Sequence, residues 1–176
     1  MRMRSHGYTL VELLTTLSVI GILLGVGLPN LTGHVHNLRV KNATQSLLES
    51  LEFTRSRAVF YNKRTTIRKQ SNWEHGWEVF IDSNNNGTRD PDETALQTQS
   101  KLKGVKVVAN SPVANYVSYI ASGEGRYASG TNNAGAFQAG RFTICPKAKG
   151  TGYELIIARS GRIRTHEIDA DACAAI

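Results

Sequence analysis

The chain has 176 residues, 40% hydrophobic and 20% charged, with two cysteines and a formal net charge of +7. That length and composition suit one globular domain with a real core, and the positive balance favours polyanionic partners over acid-binding or neutral ones. Four-ligand metal centres are excluded on composition, because Cys145 and Cys173 have no Cys/His companions at short spacing.

The opening stretch reads MRMRSHGYTLVELLTTLSVIGILLGVGLPN. Arg2, Arg4 and His6 form a short basic leader that ends at Gly7. From Tyr8 to Leu28 there are 21 residues, and Glu12 is the only charge among them. At about 1.5 Å per residue such a helix just spans a bilayer core of roughly 30 Å. Positive charge ahead of the span keeps the leader cytoplasmic and sends the remainder outward. A cleaved secretory signal, with Gly25 to Gly27 as a small-residue cleavage site, and a plain membrane anchor are two simpler readings. Against both stands Glu12, since a carboxylate five residues into an apolar run is expensive in lipid and marks function.

Gly7-Tyr8-Thr9-Leu10-Val11-Glu12 followed by an apolar helix resembles the type III signal of type IV pilins and pseudopilins. The resemblance implies that prepilin peptidase cuts after Gly7 and that Tyr8 becomes an N-methylated terminus. Glu12 would be the acid that meets a neighbouring subunit's terminal amine in the filament. Pro29 falls where pilin helices commonly carry a proline. Cleavage would remove Arg2 and Arg4 and leave the mature chain at +5. The expected organisation is a leader at 1–7, a membrane and filament-core helix at 8–29, and a soluble pilin-like domain at 30–176.

After Pro29 and Gly33 the helical pattern resumes. Val40, Ala43, Leu47, Leu51, Thr54 and Ala58 recur at steps of three and four, along one face of a helix. The end of this helix is basic, with Arg55, Arg57, Lys63, Arg64, Arg68 and Lys69 and no acid among them. A solvated helix end is the first reading of that run, and an auxiliary anion-binding face is the second.

From Thr65 onward short β-like runs alternate with turn residues: TTIRK, WEVFI, TALQTQ, VKVVA, YVSYI, GRFTIC and YELIIA. The Gly-, Ala-, Ser- and Asn-rich segment ASGEGRYASGTNNAGAFQAG is expected to be a long mobile loop. DSNNNGTRDPDE fits the spacing of a calcium loop, with Asp82, Asn84, Asn86, Asp90 and Glu93 as candidate oxygen ligands. Strand-like segments flank it instead of helices, and Asn-Asn-Gly is also what a turn between strands uses, so a structural hairpin is expected with calcium as the competing reading. No metal or cofactor is assigned.

The layout as a whole resembles the minor pilin and pseudopilin family that includes GspH, FimU and FimT. The implied fold is α+β, a long N-terminal helix packed on antiparallel β-sheet. Cys145 and Cys173 would then face an oxidising compartment, where a single disulfide is the simplest pairing. Such a bridge would fix the C-terminal segment that holds the arginines.

That segment, YELIIARSGRIRTHE, predicts two strands joined by a two-residue turn at Ser160-Gly161. In this register Arg159 faces Arg162, and Arg164 shares their side. Like charges placed together are better explained by a partner than by folding, and guanidinium forks suit phosphate. Lys147 and Lys149 would extend the track. From Lys101 to Arg164 ten Lys/Arg stand against Glu124 and Glu154, a local +8, before Glu167, Asp169 and Asp171 turn the end acidic. These three acids are also candidate ion-pair partners for Arg162 and Arg164. Gly161-Arg162-Ile163-Arg164 matches the G-R-x-R motif of FimT-type minor pilins, which implies binding of extracellular duplex DNA during natural transformation. No recognition helix is visible, so binding is expected to be led by phosphate and insensitive to sequence. Tyr127, Phe137 and Tyr153 are too scattered in sequence to predict a stacking platform.

The competing expectation is structural: a priming minor pilin of the FimU kind, or a type II secretion pseudopilin of the GspH kind, without DNA binding. No enzyme is expected, since the five histidines are dispersed and no nucleophilic triad or carboxylate pair stands out. The subunit is expected in the inner membrane first and in a surface pilus after assembly.

Overall fold

The computed structural model describes residues 7–130 and 135–175; at 26–32 and 34 only the helical backbone is described. Helix α1 runs Leu10–Tyr61, and its helical assignment continues through both Pro29 and Gly33. Thr9 caps it. Its Oγ1 accepts the Glu12 N–H at 3.2 Å, and its carbonyl accepts the Leu13 N–H. Thr9-Leu10-Val11-Glu12 is thus a T-x-x-E start, with the carboxylate in the first turn where the helix dipole favours it.

The chain forms two compact units, Met1–Val35 and His36–Ile176. In the first, Leu10 to Leu24 carry long apolar side chains that are mostly half or more exposed. Among the described residues no helix is long and apolar enough to cross a membrane. The expected leader lies almost wholly outside the described residues, and so do the side chains that end the expected span.

In the second unit the apolar stripe of α1 is buried as its spacing predicts: Val40, Leu47, Leu51, Thr54 and Ala58 are fully covered and Ala43 nearly so. Thr44, Ser50 and Thr54 share that buried face by returning their hydroxyls to carbonyls one turn back, at 2.6–2.9 Å. The stripe closes one core over two sheets.

Strands β1 (Thr65–Lys69), β2 (Trp77–Ile81), β3 (Ala95–Gln99), β4 (Val105–Ala109), β5 (Tyr116–Tyr119), β6 (Gly140–Pro146), β7 (Gly152–Ile157) and β8 (Ile163–Ile168) follow in order, and helix α2 (Ala170–Ala174) comes last. One sheet has the order β3-β2-β1-β5 and the other β4-β6-β7-β8, every pair antiparallel. Trp73, Trp77, Val79 and Ile67 from one side meet Phe142, Ile144, Leu155 and Ile157 from the other. Trp73 and Phe142 meet edge to face at 4.8 Å between ring centres. This is the expected α+β architecture, with the strands divided between two sheets.

Two segments differ from expectation. The Gly- and Asn-rich segment is anchored at its described ends: Tyr119 bridges Gly125, Arg126 bridges Phe137, and Gln138 is fully buried. The Gln138 amide donates to the Pro112 and Tyr116 carbonyls at 2.8 Å, and its oxygen accepts the Ser118 N–H. A composition-based reading misses this because one buried amide outweighs the flexible residues around it. The basic end of α1 also divides. Arg64 is buried, donating to the Asn85 side chain, the Ser118 hydroxyl and the Arg126 carbonyl at 2.7–2.9 Å. Burial lowers its pKa, and the nearby Asp82 charge opposes that shift.

Candidate nucleic-acid interface

The register of β7 with β8 pairs Ile157 with Ile163, and the Ala158 N–H donates to the Arg162 carbonyl at 2.9 Å. Arg159, Ser160 and Gly161 therefore form a three-residue loop, one longer than predicted. The Gly161 N–H closes a turn on the Ala158 carbonyl, and Gly161 itself has φ +77°. This is a turn followed by a left-handed glycine bulge, a common three-residue hairpin. The consequence is a correction: Arg159 does not face Arg162 but sits at the apex of the loop, and Ala158 takes the facing position.

Alternation along β8 places Ile163 toward the core and Arg162 with Arg164 on the outer face. Arg164 pairs with the exposed Ile156, and Ile156 pairs in turn with Arg141 of β6. Arg141 thus lies in the same row as Arg164, 3.5 Å from Glu154. Sequence reading passed over it, although the buried Phe142 beside it predicts an outward Arg141. Arg159, Arg162 and Arg164 are exposed, and among the described residues none of their side chains has an ion pair or hydrogen bond. Of the acids at the C-terminus, Asp169 caps α2 by accepting the Ala172 N–H.

The turn is held from below. Arg55 of α1 donates through Nε to the Gly123 carbonyl at 2.9 Å and through Nη2 to the Ser160 carbonyl at 3.3 Å. A Cβ on Gly161 would run into the Gly123 carbonyl, the Arg55 guanidinium and the Tyr119 ring. Tyr119 is fully buried there, its hydroxyl has no partner among the described residues, and burial pushes its pKa well up. Beside the apex stands Phe137. Arg126 lies over its ring at 3.7 Å from the centre and Arg159 at 6.0 Å. Arg126 is itself tied to Glu124 at 3.0 Å. Of the three scattered aromatics, Phe137 alone joins the arginines, while Tyr153 packs toward the core.

Lys147 and Lys149 do not join them. They lie in the loop before β7, and six residues of strand, roughly 20 Å, separate them from the β7–β8 turn. Lys147 stands 4.0 Å from Glu74 instead. The Cys145–Cys173 disulfide is present at that same far end, with Cα atoms 5.7 Å apart. Both sulfurs crowd the Cα of Gly152, where any Cβ would clash. The bridge fixes α2, not the arginine turn.

The calcium-like loop joins β2 to β3, two strands. Asp82 accepts the Asn86 and Gly87 N–H groups and the Thr66 hydroxyl, and Glu93 accepts the Ser83 and Asp90 N–H groups, at 2.8–3.1 Å. Arg64 supplies the positive charge beside Asp82. The oxygens named as ligands are thus engaged with the chain's own donors. At the N-terminus Tyr8 and Glu12 are exposed.

Comparison with known proteins agrees with this architecture. The type II transport protein GspH family matches residues 43–161, and the prokaryotic N-terminal methylation motif matches residues 2–28. The pilin-like protein PilA1 of Thermus thermophilus is 33% identical over 91 residues, which span 52% of this chain and 57% of that protein. The type IV minor pilin FimU of Pseudomonas aeruginosa superposes with a TM-score of 0.54 at 21% identity, covering 74% of this chain and 90% of that one. The minor pseudopilin EpsH from the type 2 secretion system of Vibrio cholerae gives 0.52 at 14%, covering 73% and 96%. A GspH-family match over most of the second unit, a methylation motif ahead of it and a pilin fold coincide in one chain, which belongs to the GspH family of type IV minor pilins and pseudopilins.

Proposed function

We propose that this subunit is a minor pilin of the FimT kind that binds extracellular DNA through the β7–β8 hairpin for uptake in transformation. One observation carries the reading. Arg159, Arg162 and Arg164 lie on one hairpin, exposed and without an ion pair among the described residues. Grouped cations with no internal partner destabilise a hairpin slightly, and a phosphate backbone relieves them with bidentate contacts. Gly161 sets the turn that presents them. Because no element enters a groove, the contact is to phosphate and indifferent to sequence.

The N-terminal steps belong to the same reading. Prepilin peptidase cuts after Gly7, Tyr8 is methylated, and Glu12 meets a neighbouring pilin's amine as the subunit leaves the inner membrane for the filament. The methylation-motif match at residues 2–28 and the exposed Tyr8 and Glu12 support this reading.

The test is fluorescence anisotropy of the full chain in non-ionic detergent against unrelated duplexes at several salt concentrations. Arg162→Gln with Arg164→Gln is expected to weaken all duplexes alike. The slope of log K against log[salt] should flatten by about 0.9 for each lost phosphate contact. If the unaltered chain fails to bind duplex even at low salt, the arginines serve contacts between subunits. The FimU-like or GspH-like structural reading then replaces this one.

A further inference from the structure

We propose that Phe137 is a seat for an unpaired nucleobase, so that the arginine hairpin holds single-stranded DNA more tightly than intact duplex. The proposal rests on the DNA-binding reading above and adds a second kind of contact to it.

Phe137 remains 43% exposed, whereas Phe80 and Phe142 are fully buried. Its backbone is nevertheless fixed on both sides. The Tyr127 N–H donates to the Ala136 carbonyl at 2.9 Å, and the Gln138 N–H donates to the Gly125 carbonyl at 2.8 Å. The buried Gln138 amide locks the next residue to three further backbone groups. A ring that the core does not use is therefore presented rigidly, at little ordering cost on binding.

Its neighbours suit a base. The Arg126 guanidinium lies 3.7 Å from the ring centre, oriented by Glu124 and by the Gly135 carbonyl. Aromatic ring and guanidinium side by side are the kind of surface on which extruded bases stack. Arg159, 6.0 Å from the same ring and exposed, is close enough to meet the phosphate of a nucleotide whose base stacks there. Bases in a duplex already stack on one another and offer no free face; an unpaired base does. Stacking of this kind tolerates any sequence, because every base has a π-face.

The experiment compares a labelled oligo(dT) strand with a duplex of equal length, both titrated with the full chain in detergent at matched salt. The unaltered chain is expected to prefer the single strand. Phe137→Ala should weaken single-strand binding roughly 5- to 100-fold and leave duplex binding and both salt slopes nearly unchanged. Phe137→Leu, which keeps apolar bulk, should show the same selective loss with an unchanged melting temperature. Preference for duplex, or equal loss on both DNAs, would overturn the stacking seat. If Phe137→Ala changes nothing while Arg162→Gln with Arg164→Gln loses both DNAs, the phosphate reading stands and the seat falls alone. Failure of the unaltered chain to bind either DNA removes both proposals together.

Discussion

Gly161 shows at the residue scale why the pair of arginines is preceded by glycine. Its φ of +77° is one that L side chains rarely adopt, and the space where a Cβ would project is filled by the Gly123 carbonyl, Arg55 and Tyr119. The residue therefore carries no charge yet decides where the charges point. Gly161→Ala is expected to destabilise the domain by more than about 1 kcal/mol, since backbone strain and a backbone clash add. It should also weaken duplex binding although every arginine remains. Urea denaturation and anisotropy on the same preparation check this; an alanine variant of unchanged stability would show that the turn relaxes freely. Glycine was legible here as a turn former, but its packing was not. Gly123, Arg55 and Tyr119 come from distant parts of the chain, and only the fold brings them under the turn.

At the scale of elements, the β2–β3 loop shows how one spacing serves two chemistries. Oxygen-bearing residues at alternate positions suit a calcium ion, and they suit equally a loop whose N–H groups must be satisfied without a partner strand. The bonds made to Asp82 and Glu93 favour the second, and the buried guanidinium of Arg64 nearby counters part of the Asp82 charge. Nothing in the local motif announces Arg64, eighteen residues earlier. Asp82→Ala would leave two backbone N–H groups and the Thr66 hydroxyl without their acceptor and would remove the negative charge near Arg64. A loss of several kcal/mol is expected, since each buried donor left unsatisfied costs about 1–3 kcal/mol. Asp82→Asn, which keeps the shape and part of the bonding, should lose less. Denaturation midpoints of the two variants make the comparison, and equal small losses would mean that Arg64 finds its countercharge elsewhere.

Strand existence was legible throughout because alternation is a local signal, and the Leu47, Leu51 and Ala58 stripe was legible because helical spacing is one too. The turn length between β7 and β8 was not. Two- and three-residue hairpins both place glycine at the end of the loop, and only the pairing of Ala158 with Arg162 distinguishes them. The candidate site was accordingly half legible. Its arginines stood together in sequence, whereas Arg141 reaches it through sheet order and Phe137 with Arg126 through the bridged segment between β5 and β6.

Across the whole molecule, the disulfide and the arginine turn occupy opposite ends of β7, so stability and binding should separate. The bridge closes a loop with a sequence separation of 28 residues between Cys145 and Cys173. The chain-entropy estimate for a loop of that size is roughly 3–4 kcal/mol. Reduction is therefore expected to lower unfolding stability by about that amount and to release α2 from the sheet. The hairpin keeps its own supports: the ladder between β7 and β8, the Ile157 and Ile163 contacts with the core, and Arg55 on the Ser160 carbonyl. Duplex affinity of the reduced chain, measured well below its melting temperature, should thus stay within about twofold of the oxidised chain, a difference near 0.4 kcal/mol. Denaturant melts and anisotropy with and without reducing agent give both numbers. If affinity collapses while the domain is still folded, strain from the far end reaches the turn through β7 and β8. The cysteines would then belong to the binding device as well as to the scaffold.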